Sequence, residues 1–113
     1  IKNKYLGGII APGMSLSLNN LISKASLIPS LKLKKVNKIL GKNTISAVRS
    51  GFYWGYTGLV QNIIDKISKQ TNKKYKIILT GGFSHLFIKS IKQKATIDKD
   101  ITIKGLLKVT KIL

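Results

Sequence analysis

Cysteine is missing from this 113-residue sequence, which excludes disulfides, thiolate metal sites and a cysteine nucleophile together. A reducing compartment is compatible with that. Acid is nearly as scarce: Asp65, Asp98 and Asp100 face 21 basic residues, for a formal charge of +18. The three aspartates lie far apart in the chain, so no paired-carboxylate acid/base site is expected. Histidine occurs once, at His85; without a second ligand it defines no metal site, and it reads as a surface or capping residue. Apolar runs such as "YLGGIIAPG" and "IIL" are too short to span a bilayer, and no charged-then-apolar leader opens the chain. It reads as soluble and cytoplasmic, with no membrane partner. Neither G-x-x-x-x-G-K-[ST] nor G-x-G-x-x-G is present.

What the sequence has in abundance is lysine, and such a charge attracts polyanions. The lysines are spread through every segment, however, the only arginine is Arg49, and Phe52, Tyr53, Trp54 and Tyr56 cluster within one helical pattern. Base-stacking grooves interleave aromatic and basic residues, so no dedicated nucleic-acid binding is expected. The length suits one domain, residues 1–113, that is small for a complete two-substrate enzyme.

Element signals alternate. Tyr5–Ala11 reads as a short buried strand closed by Pro12-Gly13, and "MSLSLNNLISKASLI" as a helix with Leu16, Leu18, Leu21, Ile22 and Ala25 near one face. A lysine-rich connection follows. The spacing of Ile45, Val48, Phe52, Leu59, Ile63, Ile64 and Ile67 predicts a long helix from Asn43 to about Thr71, capped by Asn43 or Thr44. A strand at Tyr75–Leu79, a helix around Ser84–Ile91, an edge strand in "KATID" and a terminal helix in "TIKGLLKVTKIL" complete an α/β pattern of helices on a small sheet.

Two stretches stand out. "KIILTGGFSHLF" runs a strand into a bare Thr80-Gly81-Gly82 turn ahead of a helix, an arrangement suited to an anionic ligand and equally to a tight turn alone. On the long helix, Gly51, Gly55 and Gly58 share a face, each costing about 1 kcal/mol against alanine. Close packing there means either a core contact or an oligomer interface.

"YLGGIIAPG", "GKNTISAVRSGFYWGYTGLVQNI", "KIILTGG" and "DKDITIKGLLKV", in this order and approximate spacing, resemble the carboxyl-terminal half of type III pantothenate kinases over nearly the whole chain. The resemblance implies the second half of an actin-like ATPase, ribonuclease H-like fold and ATP-dependent phosphorylation of pantothenate, the entry to coenzyme A. It also implies Mg²⁺, a monovalent cation (K⁺ or NH₄⁺) and a homodimer, whose interface the glycine face places on the 43–71 helix. Thr44, in "GKNT", matches the family threonine that contacts pantothenate, and Thr80, Gly81 and Gly82 match the nucleotide side of the cleft. The family motifs "DxGNT", "GxDR" with its catalytic aspartate, and "DxGTAxT" belong to the half before Ile1, so most cofactor contacts and the base are expected there and the chain alone is expected to be inactive. The rival readings are a non-catalytic member acting as a transcriptional accessory, and a kinase for another small acceptor.

Overall fold

The structure is a computed structural model that describes residues 4–24 and 28–112. The elements are α1 (Met14–Lys24), α2 (Thr44–Thr71), β1 (Ile77–Leu79), α3 (Ser84–Phe87), β2 (Ala95–Ile97) and α4 (Ile101–Ile112). This is an α/β chain, and it divides into two compact units, Ile1–Leu31 and Lys32–Leu113.

In the first unit, α1 begins where Gly13 O accepts from Ser17 N–H at 3.1 Å, and Met14 and Leu18, one turn apart, are its buried residues. Leu16 and Leu21 are exposed, and Ala25 lies outside the described residues. The strand expected at Tyr5–Ala11 does not form: the segment is irregular and exposed, with Ile10 fully so. Gly7, at φ +140°, leaves the conformation that a strand requires. No described strand pairs with the segment, and a ladder needs two strands.

In the second unit, α2 starts with a reciprocal capping box. Asn43 Oδ1 accepts from Ser46 N–H at 2.8 Å, and Ser46 Oγ accepts from Asn43 N–H at 3.1 Å. Asn72, in the left-handed region at φ 53°, ends the helix. The buried stripe of α2 is not the expected aliphatic one. It is Ser50, Tyr53 and Thr57, while Ile45, Leu59 and Ile67 stay exposed and Val48, Phe52, Ile63 and Ile64 are half-buried. Hydroxyls can face inward here because each has a partner: Ser50 donates to Ile39 O, Tyr53 pairs with Ser90 Oγ, and Thr57 donates to Tyr53 O at 2.7 Å. Tyr53, 2% exposed, is the centre of the core, stacking on Phe87 at 5.9 Å with Trp54 edge-on at 5.0 Å.

β1 and β2 form a parallel pair in the register Ile77↔Ala95, Ile78↔Thr96 and Leu79↔Ile97, with Asp98 N–H donating to Leu79 O just beyond it. Tyr75 and Lys76 fall outside β1 because β2 supplies partners only for 77–79. α3 stops at Phe87, short of the expected Ile91. Ser90 N–H turns back to Phe87 O, and Lys92 N–H is taken by Gln61 Oε1 of α2 at 2.7 Å, so α2 holds the segment in a tight turn. No helix among the described residues is long and apolar enough to cross a membrane.

Candidate functional site

The "GKNT" segment folds as a loop drawn tightly onto the first turn of α2. A methyl group at Gly41 would collide with the backbone of Ser46 and Ala47, so glycine here permits the close approach. Lys42 N–H donates to Ser46 Oγ at 3.0 Å, and Arg49 Nε donates to Lys32 O at 2.8 Å, fastening the two ends of the 32–42 loop to the helix. Asn43 is the cap, which leaves Thr44 as the first helical residue. The Thr44 side chain is exposed and makes no hydrogen bond among the described residues. Of the hydroxyls at this helix start, Ser46 is used and Thr44 is available.

Beside this loop is an open groove of about 590 Å³, lined by Ile39, Leu40, Gly41, Ala47, Ser50, Gly51, Trp54 and Gly55. A methyl group placed at Gly51, Gly55 or Gly58 would meet nothing within 4 Å. The glycine face of α2 therefore packs on no other part of the described chain. A core contact does not account for these glycines.

Thr80, Gly81 and Gly82 form an exposed turn after β1. Gly81 sits at φ +100°, where a side chain would be strained, and a methyl group at Gly81 or Gly82 would meet open space. Ser84 closes the turn through its N–H and Oγ, both donating to Gly81 O, at 3.3 and 2.9 Å. α3, at four residues, is too short to present a sizeable dipole. The turn is open to a ligand, without the helix-end attraction that the sequence suggested. Among the described residues no hydrogen bond links it to Thr44. Phe87 and Ser90 instead tie α3 to Tyr53, nine residues or about 14 Å along α2 from Thr44.

The acidic side chains are mostly engaged elsewhere. Asp65 accepts from Gln61 and Gln93, and Asp98 pairs with Lys104 at 2.8 Å. No group of three or more histidine, cysteine, aspartate or glutamate side chains able to hold a metal ion is found among the described residues. These donors do not fit a divalent cation. His85 is exposed on α3. Gly41, Ser50 and Tyr53 were not singled out for a role by sequence pattern; the glycine in "GKNT" and the 50/53/57 hydroxyl spacing were the available signals.

This α/β chain thus places an open groove beside the capped start of α2 and an exposed turn after β1. Residues 1–66 match the family described as Type III pantothenate kinase. The chain is 59% identical over 113 residues to a type III pantothenate kinase of Pelagibacter ubique, covering all of this chain and 46% of that protein. It is 38% identical over 105 residues to one of Koribacter versatilis (93% of this chain, 38% of that protein) and 40% identical over 102 residues to one of Paracoccus denitrificans (90% and 39%). The chain belongs to the type III pantothenate kinase family. It spans about half the length, or less, of these curated relatives.

Proposed function

We propose that this chain is the acceptor-side half of a kinase that phosphorylates pantothenate with ATP, the entry step to coenzyme A, in the cytoplasm. The observation that carries the reading is the uncommitted Thr44 hydroxyl, exposed at a helix start whose capping is done by Asn43 and Ser46. In this reading Thr44 bonds the acceptor, and the exposed Thr80-Gly81-Gly82 turn lies against the nucleotide. The domain is residues 1–113 as the carboxyl-terminal half of an actin-like, ribonuclease H-like fold. Mg²⁺ and a K⁺ or NH₄⁺ ion, which neutralise phosphate charge in such a reaction, belong with residues outside this chain. The homodimer is formed through the open glycine face of α2, because unfilled space above Gly51, Gly55 and Gly58 suits a second helix.

The chain by itself turns over no ATP in response to pantothenate. Joined to the amino-terminal portion of the Pelagibacter ubique relative, it does, as measured by a coupled assay for ADP. Turnover by the 113-residue chain alone, or none by the joined protein when it is folded, overturns the proposal. A non-catalytic, nucleic-acid-associated role is the second reading, favoured by the +18 charge; salt-sensitive oligonucleotide binding at physiological ionic strength is its signature.

A further inference from the structure

Gly81 and Gly82 bring no packing of their own to the turn after β1: a methyl group at either would meet open space, and Gly81 sits at φ +100°. Such a turn takes its shape from what holds its two ends. The entry is fixed by the sheet, through the pairing of β1 with β2 and the bond from Asp98 N–H to Leu79 O at 2.9 Å. The exit is fixed by Ser84, whose N–H and Oγ both donate to Gly81 O. Ser84 in turn opens α3, a helix of four residues. One turn of helix does not hold its own conformation in water, so the exit is only as fixed as whatever α3 is fastened to.

It is fastened to Tyr53. The Tyr53 ring stacks on Phe87 at 5.9 Å with 14° between the planes, its hydroxyl pairs with Ser90 Oγ, and the residue is buried. Tyr53 lies inside α2, a helix of 28 residues ended by Asn43 and Asn72, which gives the contact a firm base. A second attachment, Lys92 N–H to Gln61 Oε1 at 2.7 Å, lies past the end of α3 and secures the chain on its way to β2. The Tyr53 contacts are therefore the ones that reach the turn.

We propose that Tyr53 is a positioning residue for nucleotide binding. Through Phe87 and Ser90 it holds α3, and through Ser84 the carbonyl of Gly81, so that the Thr80-Gly81-Gly82 turn keeps the form that receives ATP. The nucleotide role rests on the kinase reading above; the fastening of α3 does not. Tyr53 itself touches no substrate. Thr44 begins α2 nine residues earlier and takes part in none of these contacts, so their loss leaves the acceptor side as it was.

The test uses three variants of the chain joined to the amino-terminal portion of the Pelagibacter ubique relative: Tyr53→Phe, Ser90→Ala and the two together. Each single change removes one hydroxyl of the pair, keeps the ring stack and strands the surviving hydroxyl, so the melting temperature falls. The double variant strands neither, and replacing both partners of a hydrogen bond is nearly neutral, so it melts close to wild type. The tether is missing from all three. In all three the KM for ATP therefore rises by about 2- to 12-fold, the factor for one neutral hydrogen bond, the KM for pantothenate stays constant, and the Ser84 amide exchanges faster with deuterium. An ATP KM that recovers together with the melting temperature in the double variant makes Tyr53 a structural residue and overturns the proposal. So does an active protein whose ATP KM is the same in all three variants, or one whose KM for pantothenate rises equally. Wild-type exchange at Ser84 in all three refutes the fastening itself, whether or not the protein turns over. A folded joined protein without pantothenate-dependent turnover removes the kinase reading and the nucleotide role with it, and faster Ser84 exchange in the variants then distinguishes that failure from a failure of the fastening.

Discussion

Replacing Asn43 by alanine removes the 2.8 Å acceptor of Ser46 N–H and breaks one arm of the reciprocal box at the start of α2. The loss is worth about 1 kcal/mol, within the range of about 0.5–2 for such caps. For a chain of this size that corresponds to a fall of about 4–8 °C in melting temperature. Thr44→Ala, one residue on, removes a hydroxyl with no partner among the described residues from an exposed first helical position, and alanine is the better helix former by a few tenths of a kcal/mol. Its melting temperature should be unchanged or slightly higher. In the joined protein, losing one neutral hydrogen bond to the acceptor, worth about 0.5–1.5 kcal/mol, should raise the KM for pantothenate by about 2- to 12-fold. The KM for ATP should stay constant, and Thr44→Ser should restore the wild-type value. Thermal melts followed at 222 nm give the first half of the contrast and steady-state kinetics the second. A Thr44→Ala protein that melts as low as Asn43→Ala and keeps its KM would return Thr44 to a structural role and refute the assignment.

Gly41→Ala should destabilise the chain by about 1–3 kcal/mol, since the added methyl group meets backbone rather than a movable side chain; denaturant titration measures it, and a neutral result would mean that the 39–42 loop relaxes freely. Gly55→Ala should leave the chain as stable or gain up to about 1 kcal/mol, because nothing lies near the new methyl group, whereas Gly55→Leu in the joined protein should shift sedimentation towards monomer and lower activity with it; a fully active dimer would place the interface elsewhere. The hydrogen bond from Lys104, followed by that from Asp100 N–H, holds the Asp98 carboxyl below its ordinary 3.8, while Asp98 raises Lys104 above 10.5. A depressed carboxylate adds stability that is complete above its unfolded pKa and lost as pH falls through the folded one, and the raised lysine loses its part as pH climbs past its own folded value. The Asp98 contacts at the start of α4, from Lys104 Nζ and Asp100 N–H, should therefore open only below about pH 4 and at strongly alkaline pH, visible as α4 amide exchange, and Lys104→Met should move the Asp98 carboxyl resonance titration back towards 3.8.

The long helix was legible because Asn43 and the repeating aliphatics are local signals, and local signals fix helix existence well. Which face it buries was not legible. Ser50, Tyr53 and Thr57 carry polar atoms that can be buried only because Ile39 O, Ser90 and the Tyr53 carbonyl satisfy them, and those partners include residues 11 and 37 positions away. The 5–11 segment misled for the converse reason: its composition is that of a strand, but strand formation is decided by a neighbour that the described chain does not provide. Of the candidate site residues, sequence resemblance supplied Thr44 and the Thr80-Gly81-Gly82 turn, and geometry adds that the Thr44 hydroxyl is exposed and makes no hydrogen bond among the described residues. The same geometry bears on how acceptor and assembly could be connected. With 3.6 residues per turn, Thr44, Gly51, Gly55 and Gly58 fall within about 60° of one another around α2, more than 90° from the centre of the buried 50/53/57 stripe. One continuous outer ridge thus carries both the proposed acceptor hydroxyl and the glycines proposed to admit a second helix, so a substitution that displaces a second helix there should also alter the surroundings of Thr44.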